Sequence, residues 1–269
     1  MIAGIDYASV DGNQLPNFHA AVAAGARFVG IRGAYGYAGK VHSDPTITRD
    51  APGWRVAGAQ VFSYLFLTYD CAPEMQADTL ATTYMRGGSD LPIALDLEMD
   101  TPPPGTTPAS RIAYAERALA RLQQHYGARG VMIYTSAEQW LDHFGDLDSA
   151  ALGACPLWLK TPYAWREHNP PKLDSAGPLG TLPRPWRRPG SPGAWIQQFQ
   201  GDAIGWAGMS STVDVNQFLI SKADPGDPRW AWVVSRFFST APDLATWQRA
   251  RGLMPDGVVG PATFAQLCR

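Results

Sequence analysis

The sequence predicts a mixed α/β fold: a mostly parallel sheet closed, or nearly closed, into an irregular barrel, with a small helical module after it. Three observations carry that prediction. Short apolar runs rich in Val, Ile, Phe and Tyr recur over the first ~220 residues, enough for the eight strands of a barrel. The early runs alternate with helix-compatible stretches, the order that builds a parallel sheet. The later runs are joined by Pro- and Gly-rich segments instead, so the helical layer is incomplete and the barrel irregular.

The strand candidates are Ile2–Asp6, Arg27–Arg32, Ala59–Leu65, Pro92–Leu97, Gly130–Tyr134, Pro156–Lys160, Ala194–Phe199 and Thr212–Asn216, most of them bounded by Gly or Pro. The clearest helix follows Pro108. Ile112, Ala115, Leu119, Leu122 and Tyr126 fall on one face at helical spacing, and Gly127 supplies a stop. Asn17–Ala24, Pro73–Met85 and Ala137–His143 are further helix candidates, and 169–193 reads as loop. The count is five β/α units followed by three strands. A turn-rich linker, Asp224-Pro-Gly-Asp-Pro228, separates a catalytic-sized domain (1–222, linker 223–228) from a helical module at 229–269, with helices expected at Trp230–Phe238 and Asp243–Arg251.

Bulk properties narrow the function classes. The chain has 269 residues, is 45% hydrophobic and carries a net charge of −2, so it can bury a full core and shows no basic excess for nucleic acid. The short basic cluster around Arg184, Arg187 and Arg188 reads as a solvated loop. Cys71, Cys155 and Cys268 are far apart and odd in number, without disulfide or zinc spacing, which points to reduced thiols. The five histidines are scattered, so no metal and no cofactor is expected. No run reaches the ~20 apolar residues of a membrane span. Met1–Tyr7 leads straight into a strand without a basic segment, apolar stretch and cleavage site, so no export signal is expected.

Four carboxylates stand out by position. Asp6 ends the first strand, Asp96 and Glu98 end the fourth, and Asp214 lies in the last. Active sites of β/α barrels form at the C-terminal strand ends. Residues two apart on a strand share a face with Cα atoms ~6–7 Å apart. Carboxyls that close raise the pKa of at least one partner, which suits a proton donor for a glycosidic oxygen. An isolated D-x-E is common and mostly a surface feature. Here it closes the apolar run Leu91-Pro-Ile-Ala-Leu, where carboxylates are costly unless paired or functional. Tyr7, Tyr35, Tyr64, Tyr134, Trp158, Tyr163 and Trp195 lie near strand ends and could stack on sugar faces, although most such aromatics belong to the core.

These residues resemble glycoside hydrolase family 25, the Chalaropsis-type lysozymes, over about residues 2–219. Gly4-Ile5-Asp6-Tyr7-Ala8-Ser9 is similar to the family's G-x-D-x-S opening, and Phe28-Val-Gly-Ile-Arg32-Gly to its second strand. Ser63-Tyr64-Leu65-Phe66 resembles Y-H-F, with Gln76-Ala77 after it; Asp96-Leu97-Glu98 resembles D-x-E; Ile133-Tyr134-Thr135 resembles I-Y-T. Pro156-Leu-Trp158-Leu resembles the L-W strand, and Val213-Asp214-Val-Asn216-Gln-Phe218 resembles V-D-x-N-x-F. There are departures. Leu65 replaces the histidine of Y-H-F, Gln197-Gln198-Phe199 stands for W-Q-Y with Trp195 a possible substitute aromatic, and Lys160-Thr-Pro-Tyr163 does not follow W-x-A-x-Y.

The resemblance implies an irregular flattened (β/α)5(β)3 TIM-like barrel. It implies a muramidase that hydrolyses the β-1,4 bond between N-acetylmuramic acid and N-acetylglucosamine in bacterial peptidoglycan. Glu98 would be the acid, Asp96 its partner, and Asp6 and Asp214 the pocket floor. Sugar contacts would come from Tyr64, Tyr134, Tyr7, Arg32, Trp158, Trp195, Gln198 and Asn216. Asp96 would either orient the substrate's own acetamido group, the favoured route, or share in activating water. The segment Trp247-Gln248-x3-Gly252-Leu253-x2-Asp256-Gly257-x2-Gly260-x2-Thr263 is similar to half of a three-helix peptidoglycan-binding domain. It would bind wall by avidity or serve as a vestigial cap. The expected protein is a monomer without nucleic-acid or membrane partners. It would be a phage endolysin made in the host cytoplasm and released through a holin, the alternative being a secreted enzyme. The competing classes are a non-catalytic glycan-binding protein on the same barrel and a chitinase-like glycosidase.

Overall fold

The computed structural model describes residues 2–84, 90–98, 101–128, 130–162, 177–219, 248–249 and 252–253. Contacts divide the chain into two compact units, Ala3–Gln217 and a second comprising Met1–Ile2 with Phe218–Arg269.

The first unit holds a closed sheet. Its strands are β1 (Ala3–Tyr7), β2 (Phe28–Tyr37), β3 (Lys40–Ser43), β4 (Gln60–Phe66), β5 (Ile93–Asp96), β6 (Val131–Ser136), β7 (Leu157–Lys160), β8 (Ala194–Ala203) and β9 (Val213–Phe218). Parallel pairings run from β1 through β2, β4, β5, β6 and β7 to β8. β9 lies beside β8 and pairs antiparallel with β1, which closes eight strands into a barrel. All eight expected strands are present.

β3 was not expected. β2 runs past Arg32 to Tyr37 and turns through Ala38 (φ 50°) and Gly39 (φ 76°) into β3, outside the closed ring. Two central residues with positive φ match the twist of a hairpin. Alanine at the first gives the sequence none of the Asn-Gly signal that usually marks one.

Helices follow each of the first five barrel strands: α1 (Phe18–Ala23), α2 (Pro45–Ala57), α3 (Pro73–Tyr84), α4 (Pro108–Tyr126), then α5 (Ala137–Phe144) with the short α6 (Ala150–Gly153). α4 buries Ile112, Ala115, Leu119 and Leu122 as its periodicity predicts. Thr107 caps its start by accepting from the Ser110 N–H, Pro108 occupies the first turn, and Gly127 ends it at φ 79°. α2 has no such legible pattern, because Pro52 and Gly53 sit inside it. Packing holds it instead. Asp44 caps it, Ile47, Ala51 and Trp54 are buried, and the Phe18 ring meets Trp54 edge-on at 5.2 Å. A Cβ on Gly53 would lie 2.1 Å from that Phe18 ring, so the close α1–α2 approach requires glycine there.

Aromatic side chains from β4, β6 and β7 meet one another in the sheet's interior. Trp158 of β7 meets Phe62 and Tyr64 of β4 at 5.2 and 6.1 Å and Tyr134 of β6 at 4.4 Å between ring centroids. Offset and edge-on rings of this kind add ~0.5–1.5 kcal/mol per pair beyond area burial.

In the second unit the Phe218 N–H donates to Ile2 O at 3.0 Å. Gly252 takes φ 67°, and the Leu253 N–H closes the turn on Gln248 O at 2.9 Å. The expected linker, the module residues Trp247, Asp256, Gly257, Gly260 and Thr263, and Cys268 lie outside the described residues. Cys71 and Cys155 are free thiols.

Candidate active site

Strand alternation turns Asp6 of β1 and Asp214 of β9 toward each other across the antiparallel pair, where they are in register. One amide serves both: the Gln198 side chain donates to Asp6 Oδ2 at 3.1 Å and to Asp214 Oδ2 at 3.0 Å. The Asn216 amide adds a 2.6 Å bond to Asp6, and the Asp202 N–H a 2.8 Å bond to Asp214. Behind these, Trp158 Nε1 donates to Asn216 at 2.7 Å and the Tyr134 hydroxyl to Gln198 at 2.6 Å. The floor is therefore a continuous buried polar network.

Asp96 and Glu98 occupy the mouth beside it. β5 ends at Asp96, so Glu98 lies just beyond the strand and not on its regular face. Its N–H donates to Asp96 Oδ1 at 2.9 Å, an Asx-type bond that fixes the turn. The Leu97 N–H anchors the same turn on Tyr134 O at 2.9 Å. Asp96 is buried, whereas the Glu98 side chain keeps 19% of its surface exposed and bonds the Lys160 ammonium at 2.5 Å.

All four carboxylates line one cleft of about 170 Å³, together with Asp11, Arg32, Tyr64, Phe66, Tyr134 and Trp158. Arg32 is held there by Asp44 (3.0 Å) and by the Tyr35 ring, 4.5 Å below its guanidinium. Burial pushes the Asp6 carboxyl up to about 7, with Asp11 and Asp96 adding to the rise and the Asn216 and Gln198 amides opposing it. Burial, then the charge of Glu98, drives Asp96 well above the usual carboxylate range; burial, then Asp6, does the same to Asp214.

The other expected contacts divide. Tyr64, Tyr134, Arg32 and Trp158 line the cleft, while Gln198 and Asn216 sit beneath it as donors to its floor. Tyr7 does not reach it. One residue beyond Asp6, it faces the opposite way, donating to Asp50 at 2.9 Å and accepting from Trp54 Nε1 at 2.7 Å. Trp195 is likewise turned outward and donates to Pro192 O at 3.1 Å, so it does not restore an aromatic to the cleft. Asp11 and Lys160 were not anticipated. Lys160 ends a predicted strand, a position that marks candidates as well as any motif does. Asp11 lies in a 3-10 turn after β1 (Ser9–Asp11) that no periodicity announces.

A family model described as "Glycosyl hydrolases family 25" matches residues 5–177. Among solved structures the chain is similar to a muramidase from Trichobolus zukalii, with 22% identity over 88% of this chain and 99% of that one and a TM-score of 0.62. It is similar to the bacterial lysozyme from Streptomyces coelicolor, with 21% identity, 89% and 98% coverage and a TM-score of 0.61. It is also similar to the catalytic domain of endolysin ply40 from bacteriophage P40 of Listeria monocytogenes, with 14% identity, 81% and 93% coverage and a TM-score of 0.56. At these identities the likenesses establish the barrel fold. No curated protein sequence matches the chain.

Proposed function

The chain belongs to glycosyl hydrolase family 25 and is a glycoside hydrolase of the lysozyme kind, and we propose that it cuts the β-1,4 bond after N-acetylmuramic acid, with Glu98 as proton donor. One observation carries the reading: four carboxylates from three different strand ends converge on one cleft, and Glu98, partly exposed at its lip, bonds the Lys160 ammonium.

In this reading the Glu98 proton passes to the glycosidic oxygen as the C1–O bond breaks, and the sugar acquires positive charge at its anomeric carbon. Asp96 acts as the carboxylate, and burial strengthens it as a base. As the substrate's 2-acetamido oxygen attacks C1, Asp96 takes the acetamido N–H proton, which neutralises the oxazoline as it forms. Water then adds at C1, the ring C1–O bond breaks, and Asp96 returns the proton to the acetamido nitrogen, with net retention. Glu98 takes a proton from that water. Asp6 and Asp214, locked by Gln198, keep the floor polar without adding mobile charge.

The test is product analysis. Digested peptidoglycan reduced with borohydride should contain new muramitol ends by mass spectrometry. New glucosaminitol ends alone would overturn the muramidase assignment. Proton NMR of the early product should show the β-anomer, and an initial α-anomer would rule out the acetamido route.

The biological role we favour is a phage endolysin. The support is the layout, a catalytic barrel followed by a segment with the D-G-x-x-G-x-x-T turn pattern of wall-binding modules. Expression in a susceptible host should lyse cells only when a membrane pore-former is co-expressed. Lysis without one would favour a secreted enzyme.

A further inference from the structure

Lys160 is the last residue of β7, in register with Ser136 of β6 and Gln198 of β8. Its ammonium lies 2.5 Å from Glu98 Oε1, and both side chains are largely buried, at 21% and 19% exposure. Arg32, a cation that lines the cleft, is paired with Asp44, whereas Lys160 reaches the cleft through its bond to Glu98. On its far side Lys160 borders a second cavity of about 370 Å³ formed by the ends of β6 and β7 and residues 179–181. It stands in a segment that departs from the W-x-A-x-Y pattern noted above.

We propose that Lys160 is a positioning residue for the proton donor: it fixes the Glu98 carboxyl and stabilises the carboxylate left when the proton departs. The inference rests on the assignment of Glu98 as acid. Before transfer the ammonium faces a neutral carboxyl. After transfer the glycosidic oxygen carries the proton, the C–O bond has broken with its electrons on the leaving sugar, and the ammonium faces a full negative charge. The interaction is therefore stronger late in the step than early, which is the condition for lowering a barrier. A charge-assisted bond in a site shielded from water is also among the stronger hydrogen bonds available. The neighbouring raised carboxyls fit this arrangement. Burial raises Asp6, Asp96 and Asp214, and Lys160 bonds Glu98, the carboxyl that gains negative charge when its proton departs.

The experiment compares two substrates and a double variant. On peptidoglycan, Lys160→Met should lower kcat ~10–100-fold, the scale of one lost transition-state donor, with KM within ~2-fold. Lys160→Arg should recover most of that loss. A 2,4-dinitrophenyl glycoside leaves without protonation, so on it Lys160→Met should stay within ~3-fold of the parent, which also shows that the variant is folded. In a Glu98→Gln background, adding Lys160→Met should change the peptidoglycan rate by less than ~2-fold. Equal losses on both substrates, or full additivity with Glu98→Gln, would assign Lys160 a merely structural role and overturn the inference. An inactive Glu98→Gln beside an undiminished Lys160→Met would overturn it alone. Undiminished hydrolysis by Glu98→Gln would overturn the acid assignment and this inference with it.

Discussion

The floor and the lip of the cleft hold their carboxylates in opposite ways. At the floor, Asp6 is buried and Asp214 half-buried; they are in register and bridged by the neutral amide of Gln198, and desolvation raises both toward the acid form. At the lip, Glu98 is partly exposed and faces a full positive charge on Lys160, while its neighbour Asp96 takes the burial penalty. The same residue chemistry thus yields a fixed polar base below and a charge-switching pair above. Environment, not residue type, separates the roles.

The sharpest way to break this comparison is at the lip. Glu98→Gln keeps shape and removes the proton, and kcat on peptidoglycan should fall ~10³-fold, within the range for a lost general acid. Dye release from labelled cell walls would measure it. Asp96→Asn should cost less, ~10²-fold in kcat, because the amide oxygen can still accept from the acetamido N–H but cannot take its proton. Equal activity of Asp96→Asn and the parent would mean that Asp96 takes no proton in the cycle.

The floor should respond in stability more than in rate. The folded Asp6 value of about 7 lies above its ordinary 3.8. Between those values the native state holds a proton that the unfolded chain has released. The stability that Asp6 contributes is therefore fully present below pH ~4, is lost as pH rises toward ~7, and then levels off, a loss on the order of a few kcal/mol. Asp6→Asn removes its share. Its melting temperature should vary less over that window and exceed the parent's at pH 8, whereas an unchanged pH profile would refute the assignment of that titration to Asp6. Smallest is Gln198→Leu, which removes the bond from the Tyr134 hydroxyl and the amide bridge between Asp6 and Asp214, while Asn216 and the Asp202 N–H still serve the two carboxyls. About 1–3 kcal/mol of stability should be lost, read from urea unfolding, and a neutral result would mean the bridge is dispensable.

Sequence legibility followed the same division between local and tertiary causes. The eight barrel strands were readable because each is a short apolar run with its own boundaries. α4 was readable because its cap, stripe and stop are all local. α2 was not, since Pro52 and Gly53 contradict a helix until Phe18 and Trp54 pack against it. The β2–β3 hairpin turns on Ala38 at positive φ, a cost that no local pattern advertises. At the site, Asp6, Asp96 and Glu98 stand out in the sequence by strand-end position and Asp214 by its place in the last strand and the family resemblance; all four line one cleft. Strand alternation removed Tyr7 and Trp195 from the cleft, a matter of one residue in register. Glu98 differed more subtly, reaching the cleft through a turn bonded by Asp96 and not by strand alternation. The Lys160 contact joins residues 62 positions apart, so no sequence window contains it.

The most direct test of the account is a crystal structure of the Glu98→Gln protein with a bound peptidoglycan tetrasaccharide. The glycan should lie along the cleft over Asp6, Asp96 and Asp214, with the scissile oxygen ~3 Å from the residue-98 amide. A glycan seated in the neighbouring cavity beside β6 and β7, with no glycosidic oxygen within reach of residue 98, would contradict it.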